Sequence, residues 1–304
     1  MTEFYHRVLV PLDGSGLAEA ALPLVSSLSG KDADLILLHV LERKAPEAIH
    51  GDRHLHSLEE SEAYLERVAE TLRAQGLSVQ THAHEVPEGD VARSIVAHAG
   101  EANADLIVLA RHGGAGVRQM LFGTIAQHVL GTGSAPVLLI RPEVIAPSTL
   151  SAAGTILVPI DGSEESEEAL RPAASVARSI HAPIRLVTVV PTVETLPAEQ
   201  GATATLLPAG MRAALDLEQH EAEEHLEGLA RRLRSEGIPV STAVHRGSVP
   251  GRLRAEATEP DVGLIVLATH GHAGVQALMA GSVTAPLLSH ARAPVLLLRL
   301  PGKD

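Results

Sequence analysis

The sequence predicts an α/β protein of two tandem doubly wound domains, each an open sheet of parallel strands with helices on both faces. Three observations lead there. The chain has 304 residues, about two domains' worth. It is an internal repeat: RVLVPLDGSGLAEAAL at 7–22 returns as TILVPIDGSEESEEAL at 155–170. LIVLARHGGAGVRQMLFGT at 106–124 returns as LIVLATHGHAGVQALMAGS at 264–282, and APVLLIRP at 135–142 as APVLLLRL at 293–300. The matches keep their order, which marks a duplicated domain and not a short-period solenoid. Within each copy, short apolar runs alternate with helical patterns, which implies parallel strands joined by right-handed crossovers.

In the first copy, Arg7–Pro11 is a continuous apolar run suited to a strand buried on both faces. Asp13-Gly14-Ser15 is a turn, and Ser15 caps an Ala-rich helix starting near Leu17. Leu35–Leu41 is the second strand. His56–Gln75 reads as a helix with Leu58, Leu65, Val68 and Leu72 on its buried face and Gly76 ending it. Leu77–Val86 is a third strand, Asp90–Ala102 a helix, and Leu106–Ala110 a fourth strand. A last helix begins at Thr124, and Val137–Arg141 closes the domain. Pro142 to Gly154, rich in Pro, Ser and Ala, is the linker, giving domains at 1–146 and 151–304. The second copy gains a Pro- and Gly-rich segment, Pro191 to Gly210, read as a long loop before a helix at Arg212–Glu236.

Composition excludes several classes. With no cysteine, disulfide scaffolds, thiolate metal sites and Cys nucleophiles are ruled out. The 24 basic against 37 acidic side chains give a net charge of −13, with no basic block to hold a nucleic-acid backbone. Two Tyr, two Phe and no Trp offer no platform for stacking bases. No apolar run reaches membrane-spanning length, and the N-terminus has no signal-peptide pattern, so the expectation is a cytoplasmic protein without membrane or nucleic-acid partners. Histidine is abundant, at 17. His50, His54 and His56, with His82 and His84 further on, are read as polar solvated residues and no metal site is expected. His220 and His225, among Glu218, Glu221, Glu223 and Glu224, are read as the solvated face of the long helix.

Open parallel sheets bind ligands beyond the carboxyl ends of their strands, where the strand order switches. The loops after strands one and four carry the candidate residues. After strand four come Ala110-Arg111-His112-Gly113, then Gly123-Thr124; the second copy has Ala268-Thr269-His270-Gly271, then Gly281-Ser282-Val283-Thr284. Glycine lets backbone N–H groups approach an anion, and a Gly-Ser/Thr step opening a helix suits a phosphate. The same step also serves as a plain helix cap. Asp13 and Asp161, in Val-Pro-x-Asp-Gly-Ser, are either acceptors for a ribose hydroxyl or base amine, or simple Asx-turn residues.

Taken together these residues resemble the universal stress protein family in its tandem form. The shared motif is Gly-x2-Gly-x9-Gly-Ser/Thr, preceded by a strand-one Pro-x-Asp and a strand-two His-Val. Its matches here are Pro11, Asp13, His39-Val40, Gly113, Gly123 and Thr124, then Pro159, Asp161, Thr188-Val189, Gly271, Gly281 and Ser282. The resemblance implies a five-stranded parallel sheet in each half, association through the last strand, and an internal pseudo-dimer open to further self-association. It also implies ATP over strands one and four, with Asp13 or Asp161 and Val40 or Val189 at the nucleoside, and the glycine loop with its hydroxyls at the phosphates. Mg²⁺ is an optional companion. In both copies alanine (Ala110, Ala268) replaces the motif's first glycine. A methyl there is costly if the position needs a positive φ or close backbone approach, and harmless if it only ends a strand.

Three functions follow. The first is a regulatory ATP-binding protein without efficient catalysis, since Gly-x4-Gly-Lys-Ser/Thr and its Lys are absent. The second is an interaction scaffold with empty sites. The third is an adenylating enzyme, against which stands the lack of a Ser-Gly-Gly-x-Asp-Ser loop. The halves differ: the second offers Ser282 and Thr284, the first Thr124 with Ala126, while Arg111 and Arg118 lie only in the first loop.

Overall fold

A computed structural model describes residues 5–42, 48–49, 52–87, 90–110, 124–141, 154–196, 206–270, 287 and 290–300. The chain divides into two compact units, whose main stretches are 1–148 and 149–269.

In the first, β1 (Tyr5–Pro11) lies between β2 (Ser29–Glu42) and β6 (Leu106–Ala110); β5 (Ser78–Val86) follows β2 outward and β7 (Val137–Ile140) follows β6. The pairings β1–β2, β1–β6, β2–β5 and β6–β7 are all parallel. A two-stranded antiparallel pair, β3 (Ala48–Ile49) and β4 (Asp52–Arg53), stands apart from this sheet. The second half repeats the order: β8 (Thr155–Pro159) lies between β9 (Ile184–Val190) and β11 (Val262–His270), with β10 (Val240–Arg246) beyond β9 and β12 (Val295–Leu300) beyond β11. The β8–β9, β9–β10 and β8–β11 pairings are parallel. Strand order therefore switches between β1 and β6, and again between β8 and β11. The predicted class and its tandem organisation hold.

The core is aliphatic because nothing else in the composition could fill it. Val8, Leu9 and Val10 of β1 and Ile156, Leu157 and Val158 of β8 are at most 1% exposed. Such runs suit strands covered on both faces.

Each single helix expected after strand one is two helices: α1 (Gly16–Glu19) and α2 (Leu22–Leu28), then α6 (Glu164–Glu167) and α7 (Leu170–Ile180). The reason is Pro23 and Pro172. In a continuous helix each would face a carbonyl one turn back with no N–H; in the first turn of a new helix that N–H is not needed. α3 (Leu58–Ala74) is capped by Ser57, whose Oγ accepts from the Glu60 backbone N–H at 3.1 Å, while Glu60 accepts from the His56 N–H at 2.9 Å. Leu58 is exposed, contrary to the expectation; the buried face is Ser61, Tyr64, Leu65, Val68, Ala69 and Leu72. Gly76 (φ +88°) ends that helix in the left-handed conformation. α4 (Val91–Glu101) and α5 (Thr124–Thr132) complete the first half. In the second, α8 spans Pro208–Ser235 and α9 Val249–Ala257. The expected Pro191–Gly210 loop holds a 3₁₀ turn at Val193–Thr195; residues 197–205 lie outside the described residues.

Candidate functional site

The turn after strand one is built identically in both halves. Ser15 donates to Asp13 Oδ1 from its backbone N–H (2.9 Å) and its hydroxyl (2.6 Å). Ser163 does the same to Asp161 Oδ1, at 3.0 and 2.5 Å. Each serine Oγ then caps its helix by accepting the N–H of the third helical residue, from Ala18 at 3.2 Å and Ser166 at 3.1 Å. The intervening glycines, Gly14 at φ +88° and Gly162 at +85°, adopt the left-handed conformation this turn requires. One carboxylate oxygen of each Asp is thus occupied by the turn. Burial alone would raise the Asp161 carboxyl, but the hydrogen bonds from Ser163 outweigh it and hold the group below its ordinary value. Asp161 is therefore a charged acceptor at neutral pH.

A second tie fixes the strand-one end to strand two. His39 Nδ1 lies 2.7 Å from the Leu12 carbonyl oxygen, and Thr188 Oγ1 donates to the Ile160 carbonyl at 2.8 Å. A carbonyl only accepts, so the His39 proton sits on Nδ1. Burial first, and then the nearby His54, hold His39 below its ordinary value, keeping it neutral. Its Nε2 is buried without a hydrogen-bond partner. The two motif residues, His and Thr, do the same mechanical job with different volumes.

What lies above these turns differs. In the second half a cleft of about 570 Å³ opens at the carboxyl ends of β8, β9 and β11. Its lining includes Pro159, Asp161, Val189 and Ala268 among the residues singled out in the sequence. Opposite them, α8 contributes Glu218, Glu221, Ala222 and His225. Glu167 of α6 sits 3.3 Å from His225 Nε2. The sequence reading placed this helix face in solvent. Its 3- and 4-residue spacing, which puts the four on one stripe, was the available signal.

In the first half the chain covers the same turn. Leu55 lies so close to Gly14 that an added Cβ would meet its Cγ at 3.2 Å. His54 is buried, its ring centroid 6.4 Å from that of His39, and Tyr64 lies edge-on to His39 at 6.4 Å. Burial and the neighbouring Glu19 push the Tyr64 phenol well above its ordinary range. Tyr64 and His225 occupy equivalent places on their helices, as do Glu19 and Glu167.

Pro11 ends β1 and Val40 lies in β2, opposite His84 of β5. Thr124 opens α5, its side chain outside the described residues. Gly113, Gly123, Gly271, Gly281, Ser282, Val283 and Thr284 also lie outside the described residues. The two substituted positions are inside them. Ala110 ends β6 and Ala268 lies in β11; among the described residues the only non-glycine positive φ angles belong to Asn103 and His181. Of the two reasons for a glycine there, a left-handed backbone does not apply.

Two successive doubly wound domains, with the strand-one turn repeated and a cleft at the strand ends of the second, define a tandem α/β protein. The profile of the universal stress protein family matches residues 4–141 and 153–299, so the chain belongs to that family, with two of its domains in tandem. A universal stress protein of Methanocaldococcus jannaschii is 28% identical over 143 residues, covering 45% of this chain and 82% of its own. The crystal structure of a universal stress protein from Archaeoglobus fulgidus matches 97% of both chains with a TM-score of 0.64 at 16% identity, a likeness of fold. A universal stress protein solved in complex with cAMP is 21% identical, covering 46% of this chain and 99% of its own, with a TM-score of 0.36. Among the described residues no helix is long and apolar enough to cross a membrane.

Proposed function

We propose that this tandem universal stress protein is a cytoplasmic, ATP-binding regulatory protein without efficient catalysis, and that its second domain carries the principal site. The observation behind this reading is the cleft beside Asp161, whose size is that of a small-molecule site. Its carboxylates, Asp161, Glu218 and Glu221, are acceptors, which suits the donor-rich end of a nucleotide: ribose hydroxyls and the adenine amine. The same charges disfavour a bare triphosphate in that part of the cleft. The phosphates belong toward Gly271 and Gly281-Ser282-Val283-Thr284, with Mg²⁺ offsetting the negative charge. Val189 supplies an apolar contact for the base. Pro11, Asp13, Val40, Gly113, Gly123 and Thr124 form the corresponding set in the first domain. Leu55 and His54 over that turn favour the scaffold reading for that half. Two domains in one chain fit an internal pair.

Isothermal titration of nucleotide-stripped protein with Mg-ATP tests the proposal. The expected stoichiometry is one dominant site per chain. Ser282→Ala should weaken it about tenfold, the loss of one hydrogen bond to a charged group, while Thr124→Ala leaves it unchanged. Two equal sites would overturn the preference for the second domain. No heat, with an unchanged Tm at high ATP, would overturn nucleotide binding in favour of the scaffold.

A further inference from the structure

Three imidazoles meet in the first domain, at a place set by the outer strand β5 and helix α4. His82 and His84 are alternate residues of β5, so their rings leave the same face of the sheet; the rings stack with centroids 6.1 Å apart. His98 of α4 brings its ring to 4.7 Å from His82 and 5.0 Å from His84. One ring nitrogen from each of the three lies within 4.8 Å of the others. Four-coordinate zinc with nitrogen ligands at about 2.0–2.1 Å needs them about 3.4 Å apart. Small side-chain rotations cover that difference, and His82 and His84 are exposed enough to make them.

The nitrogen roles at His98 are defined by its own helix. Nδ1 lies 2.7 Å from the Ser94 carbonyl oxygen and 3.3 Å from the Ser94 hydroxyl. The carbonyl accepts, so the proton is on Nδ1 and the Nε2 lone pair is presented outward. A backbone carbonyl holding the far nitrogen is how metal-binding histidines are oriented and made more basic. We propose that His82, His84 and His98 bind a divalent transition-metal ion of the zinc class, with one coordination position left to solvent or an incoming ligand. The chemistry of the donors selects the class. Three neutral nitrogens suit Zn²⁺, Ni²⁺ or Cu²⁺ and are poor ligands for Mg²⁺ or Ca²⁺, which take oxygens. Glu101, one turn beyond His98, acts electrostatically on His82 and adds negative charge beside the cation.

The second domain shows what the same place becomes without the triad. His245 faces Val189 across the strand pair as His84 faces Val40. There His245 Nε2 bonds Glu256 at 2.6 Å, and Arg185 approaches Glu256 at 3.4 Å. Ala243 stands where His82 stands, so an ion-paired cluster replaces three nitrogens.

The test uses the full chain without a histidine tag, stripped of metal, and titrated with Zn²⁺ against a chromophoric chelator of micromolar affinity. The expected result is one ion per chain held against the competitor. His82→Ala, His84→Ala and His98→Asn should each weaken binding at least tenfold. His54→Ala and His245→Ala should leave it unchanged, and Mg²⁺ should not compete. Because His82 and His84 are exposed, their variants keep the fold, which an unchanged Tm in chelator confirms. Unaltered affinity in both exposed variants, loss in His54→Ala or His245→Ala, or no ion retained would overturn the assignment. This site does not rest on the ATP reading; Zn²⁺ is titrated with no nucleotide present.

Discussion

The two halves share a strand-one turn nearly atom for atom, yet one turn is roofed by its own chain and the other opens on a cleft. The hydrogen bonds of Asp13 and Ser15 match those of Asp161 and Ser163 to within 0.1 Å. The difference lies in what the following elements bring over them. The first half has His39, His54, Leu55 and Tyr64, and the second has Thr188 and His225. Duplication kept the turn and changed the volume above it. The same turn is therefore consistent with two different occupancies, and its presence alone says little about binding.

The strand-two ties should show the largest contrast in stability. His39 is 1% exposed and packed beside Tyr64. His39→Ala removes a buried ring and a hydrogen bond, at a cost of about 2–4 kcal/mol. Thr188→Ala removes one hydroxyl bond beside an open cleft and should cost about 1 kcal/mol. Urea denaturation monitored by circular dichroism measures both; equal costs would break the comparison.

The turn glycines give a finer test. Both sit at positive φ, so alanine at either costs about 1–2 kcal/mol. At Gly162 the new methyl meets nothing within 4 Å, while at Gly14 it meets Leu55 at 3.2 Å. Gly14→Ala should therefore be worse by up to about 1 kcal/mol, and Leu55→Ala should erase the excess when the two changes are combined. A double-mutant cycle in Tm reads this directly.

The smallest effect is a pH dependence peculiar to the second half. Asp261 takes a hydrogen bond from Arg185 at 2.5 Å and another from Thr155 Oγ1 at 3.2 Å. Burial would raise the Asp261 carboxyl, but Arg185 and Thr155 more than offset this and hold it below its ordinary value. A lowered folded-state value means the stabilisation is present above the unfolded-state value and disappears as pH falls through the folded one. Asp261→Asn should cost about 0.5–1 kcal/mol at pH 7, the pair being partly exposed. That cost should shrink once pH drops below about 3.9. A cost that stays constant down to pH 2 would mean the charge is not its source.

Much of the fold was legible because its signals are local. Continuous runs such as Val8–Val10 and Leu106–Leu109 suit strands buried on both faces, and Gly76 marks a helix end with no help from elsewhere. The broken helices were legible too, had Pro23 been weighed against the Ala-rich run around it. Leu58 misled because seven-residue spacing from Leu65 says nothing about which first-turn residues the sheet covers. The candidate sites were harder for a different reason. His98 joins His82 and His84 only through the packing of α4 on the sheet, a contact across 16 and 14 residues that no spacing encodes. Glu218 and His225 looked like a solvated stripe because acidic residues face water by default; here they line a cleft.

The outer strands β5 and β10 also bear on how these molecules meet one another. A strand at the rim of a sheet offers unpaired backbone groups that can recruit a second chain. Here those rims carry Gln80, His82, His84 and Glu85 on one strand and Ser241, His245 and Arg246 on the other. Polar and charged side chains of this kind discourage edge-to-edge growth into extended assemblies. The protein should therefore not grow into fibres through β5 or β10, and any dimer it forms should be sought on a surface other than these two rims.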